Sequence, residues 1–264
     1  MMMPCHARIA KTLAIALIAG AAGIVNAAPA EPATDPTALD AVAAKAQASL
    51  RQSFTNLQFE DFGPAPVKGP LFQASAGGRI LYYAPESDHL LFATIYDRNG
   101  VNLTALAQDA SARKKLGQLD PAQALTIGPP EAPTIIEFTD PDCPYCRALD
   151  RFWATKAAEG KGVRRQIYFV SGIHPQAASK AEHILCSKDQ AAAFRATYAG
   201  EAPKPLTTCK EGAARVAANA QAVKAMGISG TPTLILDGRI ISGFQQAEIE
   251  AWLDQKQAAK KPLG

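Results

Sequence analysis

Two cysteines stand two residues apart where an apolar run ends: Glu137 to Cys146 reads Glu-Phe-Thr-Asp-Pro-Asp-Cys-Pro-Tyr-Cys. The run before them, Thr134 to Phe138, is short and β-branched, which suits a buried parallel strand, while Leu149, Phe152 and Trp153 behind them recur at helical spacing. The pair therefore falls at a strand-to-helix junction. The first turn of a helix offers unpaired N–H groups and the positive end of the dipole, both of which favour a thiolate at Cys143. Pro144 suits the first helical position because it has no N–H to lose. Cys146 lies about one turn deeper. The chemistry expected is thiol–disulfide exchange, with Cys143 as the attacking nucleophile and Cys146 as the thiol that resolves a mixed disulfide. The alternative is half of a zinc site, which needs two further ligands, nominally from Cys186, Cys209 and His183. No second C-x-x-C or H-x-x-x-H pair follows at finger spacing, so the redox reading is preferred.

The elements that must position this pair fit an exported, folded chain. At 264 residues, 48% hydrophobic and 19% charged, it is long enough for one large domain or two modest ones and is not compositionally disordered. Met1 to Lys11 is basic, Thr12 to Val25 is uncharged and apolar, and Val25-Asn26-Ala27 offers small residues before a cut, so residues 1–27 read as a cleavable secretory signal peptide. The apolar stretch is shorter than the about 20 residues a membrane span needs. Cys5 precedes the apolar region and leaves with the signal. Without Arg8 and Lys11 the formal charge falls from +3 to near neutrality, which gives no case for nucleic acid as a partner.

Ala28 to Pro36 reads as a tether, and Pro36 to Phe54 as an amphipathic helix with Leu39, Val42, Ala43, Ala46 and Leu50 on one side. Short β segments follow at Leu57–Phe62, Leu71–Ala74, Arg79–Tyr83 and Leu90–Tyr96, an antiparallel sheet too small to hide its own edges. Pairing with another chain would solve that. Residues 28–103 thus form an α+β unit, and 104–124 a linker helix region centred on Thr104–Leu116. Residues 125–264 form an α/β unit with strands at Thr134–Phe138, Val163–Val170, Thr233–Leu236 and Arg239–Ser242. Its helices are expected after Cys143 and at Pro175–Cys186, Asp189–Ala199, Glu211–Met226 and Ala247–Gln257.

Cys143-Pro144-Tyr145-Cys146 with Thr231-Pro232 far downstream resembles the thioredoxin superfamily. With Pro64-Ala65-Pro66-Val67, Ile80-Leu81-Tyr82-Tyr83, Ile95 to Gly100 and Phe138 to Cys146, nearly the whole mature chain resembles the DsbC/DsbG family of periplasmic thiol:disulfide interchange proteins. The resemblance implies a cystatin-like N-terminal dimerisation domain of one helix and an antiparallel sheet, a linker helix, and a thioredoxin-fold domain with a helical insertion between Val170 and Glu211. It also implies a homodimer that reshuffles wrong disulfides in misfolded exported proteins, needs no cofactor or metal, and is kept reduced by a DsbD-type membrane reductase. A reductase of oxidised single cysteines, in the manner of DsbG, and a chaperone with little thiol turnover remain alternatives.

The same resemblance assigns further residues. Pro232 would be cis, with the backbone of Thr231 pairing with an extended substrate segment opposite the cysteines. Pro144 and Tyr145 would border the substrate and tune the thiols; Pro144 matches DsbG, where DsbC has glycine. Cys186 and Cys209 can pair in an oxidising compartment, either as a second redox pair or as a structural disulfide like the non-catalytic one of DsbC-like proteins, and the structural reading is preferred. Such a bridge would contribute roughly 3 kcal/mol. Glu137 departs from DsbC, which has an apolar residue there, and matches the acid of thioredoxin and DsbA. It is expected to contact the Cys146 sulfur and take its proton, the alternative being a solvated strand end. His174 and His183 are expected to be loop or helix-surface residues, and His89 lies in a turn.

Overall fold

The computed structural model describes residues 36–260, so the expected signal peptide and most of the expected tether lie outside the described residues. The first helix, α1 (Pro36–Ser53), precedes four strands, β1 (Glu60–Pro64), β2 (Phe72–Ala76), β3 (Arg79–Ala84) and β4 (His89–Leu91), which pair antiparallel in chain order. Alternation along β3 sends Leu81 and Tyr83 to one face, against Ala46 and Leu50 of α1, and Ile80 and Tyr82 to the other. β4 is shorter than the expected Leu90–Tyr96. Its register with β3 covers only Tyr82–Leu91 to Ala84–His89, and beyond it Phe92 is 70% exposed and pairs with no strand among the described residues. His89 accordingly opens β4 instead of lying in a turn.

Helix α2 (Leu103–Lys115) lies against both sheets. It starts at Asn102, whose side chain accepts from the Ala105 N–H, and it ends in three basic residues that suit the negative end of a helix. Toward the first sheet, Thr104 pairs with the Tyr82 hydroxyl at 2.6 Å and Gln108 donates to the Gly78 carbonyl at 2.9 Å. Toward the second, the Asp109 carboxylate accepts from the Ile240 N–H at 2.8 Å and Ala112 enters a core cluster with Phe138, Tyr168 and Ile235. Gly78, in the β2–β3 turn, meets Gly227 backbone to backbone: a Cβ on Gly78 would stand 1.8 Å from the Gly227 carbonyl oxygen.

The second sheet has the order β5 (Leu125–Ile127), β7 (Arg164–Phe169), β6 (Thr134–Thr139), β8 (Thr233–Leu236), β9 (Arg239–Ser242). Only β6 and β7 are parallel. Helices α3 (Pro144–Ala158) and α7 (Gln246–Lys260) cover one face through Ile135, Leu149, Trp153, Leu234, Ile249 and Trp252, while α5 (Gln190–Ala199) packs through Phe194 and Tyr198 with Cys146, Ile167 and Phe169. Helix α6 (Lys210–Met226) joins α2 on the other, while α4 (Ala177–Cys186) packs on α6 and the end of β7. This is the α/β thioredoxin arrangement with the helices α4 and α5 inserted after β7. Among the described residues no helix is long and apolar enough to cross a membrane.

Cys186 and Cys209 form a disulfide that ties the end of α4 to the start of α6, so neither sulfur is free to complete a zinc site with the C-x-x-C pair. Gly212 is fitted beneath it; a Cβ there would lie 2.3 Å from the Cys186 sulfur and 3.1 Å from that of Cys209. Helix propensity alone would favour alanine at Gly212 by about 1 kcal/mol. We expect the contact to win and Gly212→Ala to destabilise by about 1–3 kcal/mol in urea unfolding. In a Cys186→Ala/Cys209→Ala background the same change should cost less, and an equal cost in both backgrounds would contradict the packing account.

Candidate active site

β6 ends at Thr139, and Asp140-Pro141-Asp142 carries the chain into α3, whose N-cap is Cys143 with Pro144 at its first position. The N–H groups of Tyr145 and Cys146 lie in the first turn and have no intrahelical acceptor. Cys143 and Cys146 are free thiols, 6% and 0% exposed, whereas Tyr145 is 68% exposed beside them. Thr231–Pro232 is a cis peptide, and the Cys143 thiol points to the Thr231 carbonyl at 3.5 Å. The fold thus brings Cys143, Pro144, Tyr145, Cys146, Thr231 and Pro232 to one place and sets the Cys186–Cys209 disulfide apart, at the α4–α6 junction.

Burial pushes the Cys146 thiol up from 9.0 to about 12. The hydrogen bonds of Thr139 and of the Asp140 N–H oppose this, the latter at 3.4 Å, whereas negative charge at Cys143 adds to it. Asp140 is fully buried; its carboxylate accepts from the Asp142 N–H at 2.8 Å and meets His174 Nδ1 at 2.8 Å. Asp142, next to Cys143, is held by Arg147 at 3.3 Å and by Lys180. The turn that presents both sulfurs is therefore fixed from inside and outside.

Glu137 is fully buried in mid-β6, but not as expected. Both of its oxygens are held by Arg165 of β7, Oε2 by Nε and Oε1 by Nη2, each at 2.9 Å. The third guanidinium nitrogen donates to Asp150 of α3 at 2.6 Å, and the group lies 5.0 Å from the Phe194 ring centroid. Burial works against the Arg165 charge, yet the two carboxylates more than offset it and its pKa stands above the ordinary value. The polar partners of the Cys146 sulfur are instead Thr139, Asp140 and Thr231. Glu137 is thus neither a partnerless acid on the sulfur nor a solvated strand end, because a buried guanidinium claims it.

Sequence reasoning passed over Thr139, Asp140, Arg165 and Tyr198. Thr139 and Asp140 carried a usable signal, two polar residues closing an apolar strand just ahead of the C-x-x-C. His174 was placed at the surface; it is half-exposed but anchors Asp140. His183 is buried in α4, where its Nδ1 accepts from the Thr207 N–H at 3.0 Å.

A dithiol at a helix start facing a cis-proline loop, on this sheet order, defines a thioredoxin-fold redox protein. Comparison with known proteins agrees: residues 121–257 match the thioredoxin-like domain family and residues 27–105 match the disulfide bond isomerase protein N-terminal domain. A thiol:disulfide interchange protein DsbG from Escherichia coli is 30% identical over 156 residues, 56% of this chain and 61% of its own length. A second, from Pseudomonas aeruginosa, is 26% identical over 211 residues, 75% of this chain and 77% of its own. The chain thus spans less than two thirds of the Escherichia coli relative. A crystal structure of a disulfide interchange protein from Neisseria gonorrhoeae is 26% identical, covering 53% of this chain and 99% of its own with a TM-score of 0.45. The chain belongs to the DsbC/DsbG family of thiol:disulfide interchange proteins, within the thioredoxin superfamily.

The Arg165 pairing determines the effect of removing the acid. Glu137→Gln leaves a buried guanidinium with one carboxylate instead of two, and we expect a loss of about 3 kcal/mol in urea unfolding of the oxidised protein. A gain in stability would contradict the pairing.

Proposed function

We propose that this chain is a homodimeric periplasmic disulfide isomerase that reshuffles wrong disulfides in misfolded exported proteins. The observation that carries the reading is the approach of the Cys143 sulfur to the Thr231 carbonyl, ahead of cis-Pro232, with exposed Tyr145 alongside. An extended client segment can hydrogen-bond to the Thr231 backbone and bring its own disulfide onto Cys143, with Pro144 and Tyr145 bordering the segment. Cys143 attacks one client sulfur, a client thiolate leaves, and that thiolate or another then attacks elsewhere in the client until Cys143 is released as a thiolate. Cys146 ends unproductive encounters by displacing the client. Glu137 serves this site as the charge partner of Arg165, and the Cys186–Cys209 disulfide as a brace for the inserted helices.

In this reading residues 1–27 direct export and are removed, 28–103 pair with a second copy, 104–124 connect, and 125–264 carry the chemistry. Support for pairing comes from β4, a free edge bordered by exposed Leu91, Phe92, Tyr96 and Val101. Isomerisation requires reduced Cys143, so an electron donor such as a DsbD-type membrane reductase is the implied partner. A second reading, a DsbG-like reductase of oxidised single cysteines, is favoured by the name of both relatives and by Pro144.

Reactivation of scrambled ribonuclease decides between them. We expect wild type to reactivate it, Cys143→Ser to do nothing, and Phe92→Asp to sediment as a monomer that still reduces a simple disulfide but has lost isomerase activity. Reduction of a protein sulfenic acid without ribonuclease reactivation would move the conclusion to the second reading. Reactivation that survives Cys143→Ser would indicate a chaperone.

A further inference from the structure

A row of buried polar groups runs from the resolving sulfur into the helical insertion. Tyr198 of α5 is buried, and its hydroxyl donates to Thr139 Oγ1 at 2.9 Å. Thr139, fully buried at the end of β6, has its side chain beside the Cys146 sulfur, which accepts from the backbone N–H of the next residue, Asp140, at 3.4 Å. A hydroxyl carries one proton, so a Thr139 oxygen that accepts from Tyr198 has its own proton free to face the sulfur. Packing holds the phenol in place: its ring stacks on Phe194 at 4.0 Å between centroids and 22° between planes.

We propose that Tyr198 is a positioning residue for the resolving step, aiming the Thr139 hydroxyl at Cys146 so that it stabilises the negative charge carried by that sulfur as it attacks. The proposal rests on the exchange reading above, in which Cys146 resolves. In that step Cys146 loses its proton to solvent and its sulfur attacks the Cys143 sulfur of the Cys143–client disulfide. That bond breaks, the Cys143–Cys146 bond forms, and the client sulfur departs with the electron pair and takes up a proton. Cys143 and Cys146 together are oxidised and the client sulfur is reduced.

Tyr198 does not accept the proton. Burial, with the charges at Cys146 and Glu137, holds it well above 10.0, so it remains a neutral donor. The groups that face this row are few. Cys146 sees Cys143, the Asp140 N–H with the Asp140–His174 pair behind it, and Thr231. Tyr198 sees Glu137 and Arg165, the latter also paired with Asp150. The Asp140 N–H and Thr231 continue to serve the sulfur when Tyr198 is changed, so a partial effect is expected.

The test uses full-length protein carrying glutathione on Cys143, with release of glutathione followed by stopped flow between about pH 6 and 10, bracketing the ordinary thiol range. Tyr198→Phe should slow release roughly three- to tenfold at neutral pH and move the pH profile upward, because a less stabilised Cys146 thiolate forms only at higher pH. The rate at which Cys143 attacks oxidised glutathione should stay unchanged. Thr139→Ser, which keeps the hydroxyl, should behave as wild type, and Thr139→Val should match or exceed the Tyr198→Phe defect. A purely structural role for Tyr198 would leave the profile where it is, and that result would overturn the proposal. If Tyr198→Phe does not fold, the Thr139 pair decides, since equal release by the Ser and Val variants would overturn it equally. Failure of Cys146→Ser to accumulate the glutathione adduct would instead remove the exchange reading itself.

Discussion

A guanidinium inside the catalytic sheet must have its charge answered, and the answer ties together the elements that build the site. Arg165 of β7 takes Glu137 from β6 and Asp150 from α3 and lies against Phe194 of α5. Those are the elements that carry Thr139, the two cysteines and Tyr198. An isolated buried charge is costly, so none of the partners can move without exposing Arg165 to that cost. The network is accordingly a positional constraint more than a source of net stability. It holds the strand end and the helix start in one relation, and the relation leaves Cys146 beneath Cys143.

The second constraint is the seating of the two sheets on α2. This helix presents Thr104 and Gln108 to one sheet and Asp109 and Ala112 to the other. Asp109 accepts from Ile240 on β9, the outer strand of the catalytic sheet, and so answers one edge N–H that would otherwise be left open. Where the units meet at Gly78 and Gly227 there is no room for a side chain on either glycine. The contact lies a few residues ahead of Thr231, so the placement of the first unit and that of the cis-proline loop are linked through the short segment Ile228 to Gly230.

Much of this could be read from residue order. The C-x-x-C between a β-branched strand and an apolar-striped helix located the dithiol, and Thr231-Pro232 ahead of an apolar strand located the loop opposite. Period-2 and period-3.6 patterns supplied nearly every strand and helix, because a chain with one buried face per element repeats that face. What stayed hidden were partners made through space. Arg165 sits in Val-Arg-Arg-Gln-Ile-Tyr-Phe, where nothing local says which arginine turns inward, and its acid lies on another strand. Glu137 therefore looked like an acid without a partner. Tyr198 carries no local signal, since its hydroxyl finds Thr139 only once the insertion folds back over the sheet. β4 was read too long because Leu90 to Tyr96 has strand composition, while β3 beside it pairs only with His89 to Leu91.

The account stands on an inequality between two sulfurs one turn apart, one facing the cis-proline loop and the other enclosed and pushed up to about 12. The direct measurement is alkylation of the reduced protein by iodoacetamide at neutral pH, with each site followed by peptide mass spectrometry over time. Modification should accumulate at Cys143 well before Cys146, because the enclosed thiol is protonated and out of reach. Equal rates at the two sites, or faster modification of Cys146, would contradict the assignment on which the rest depends.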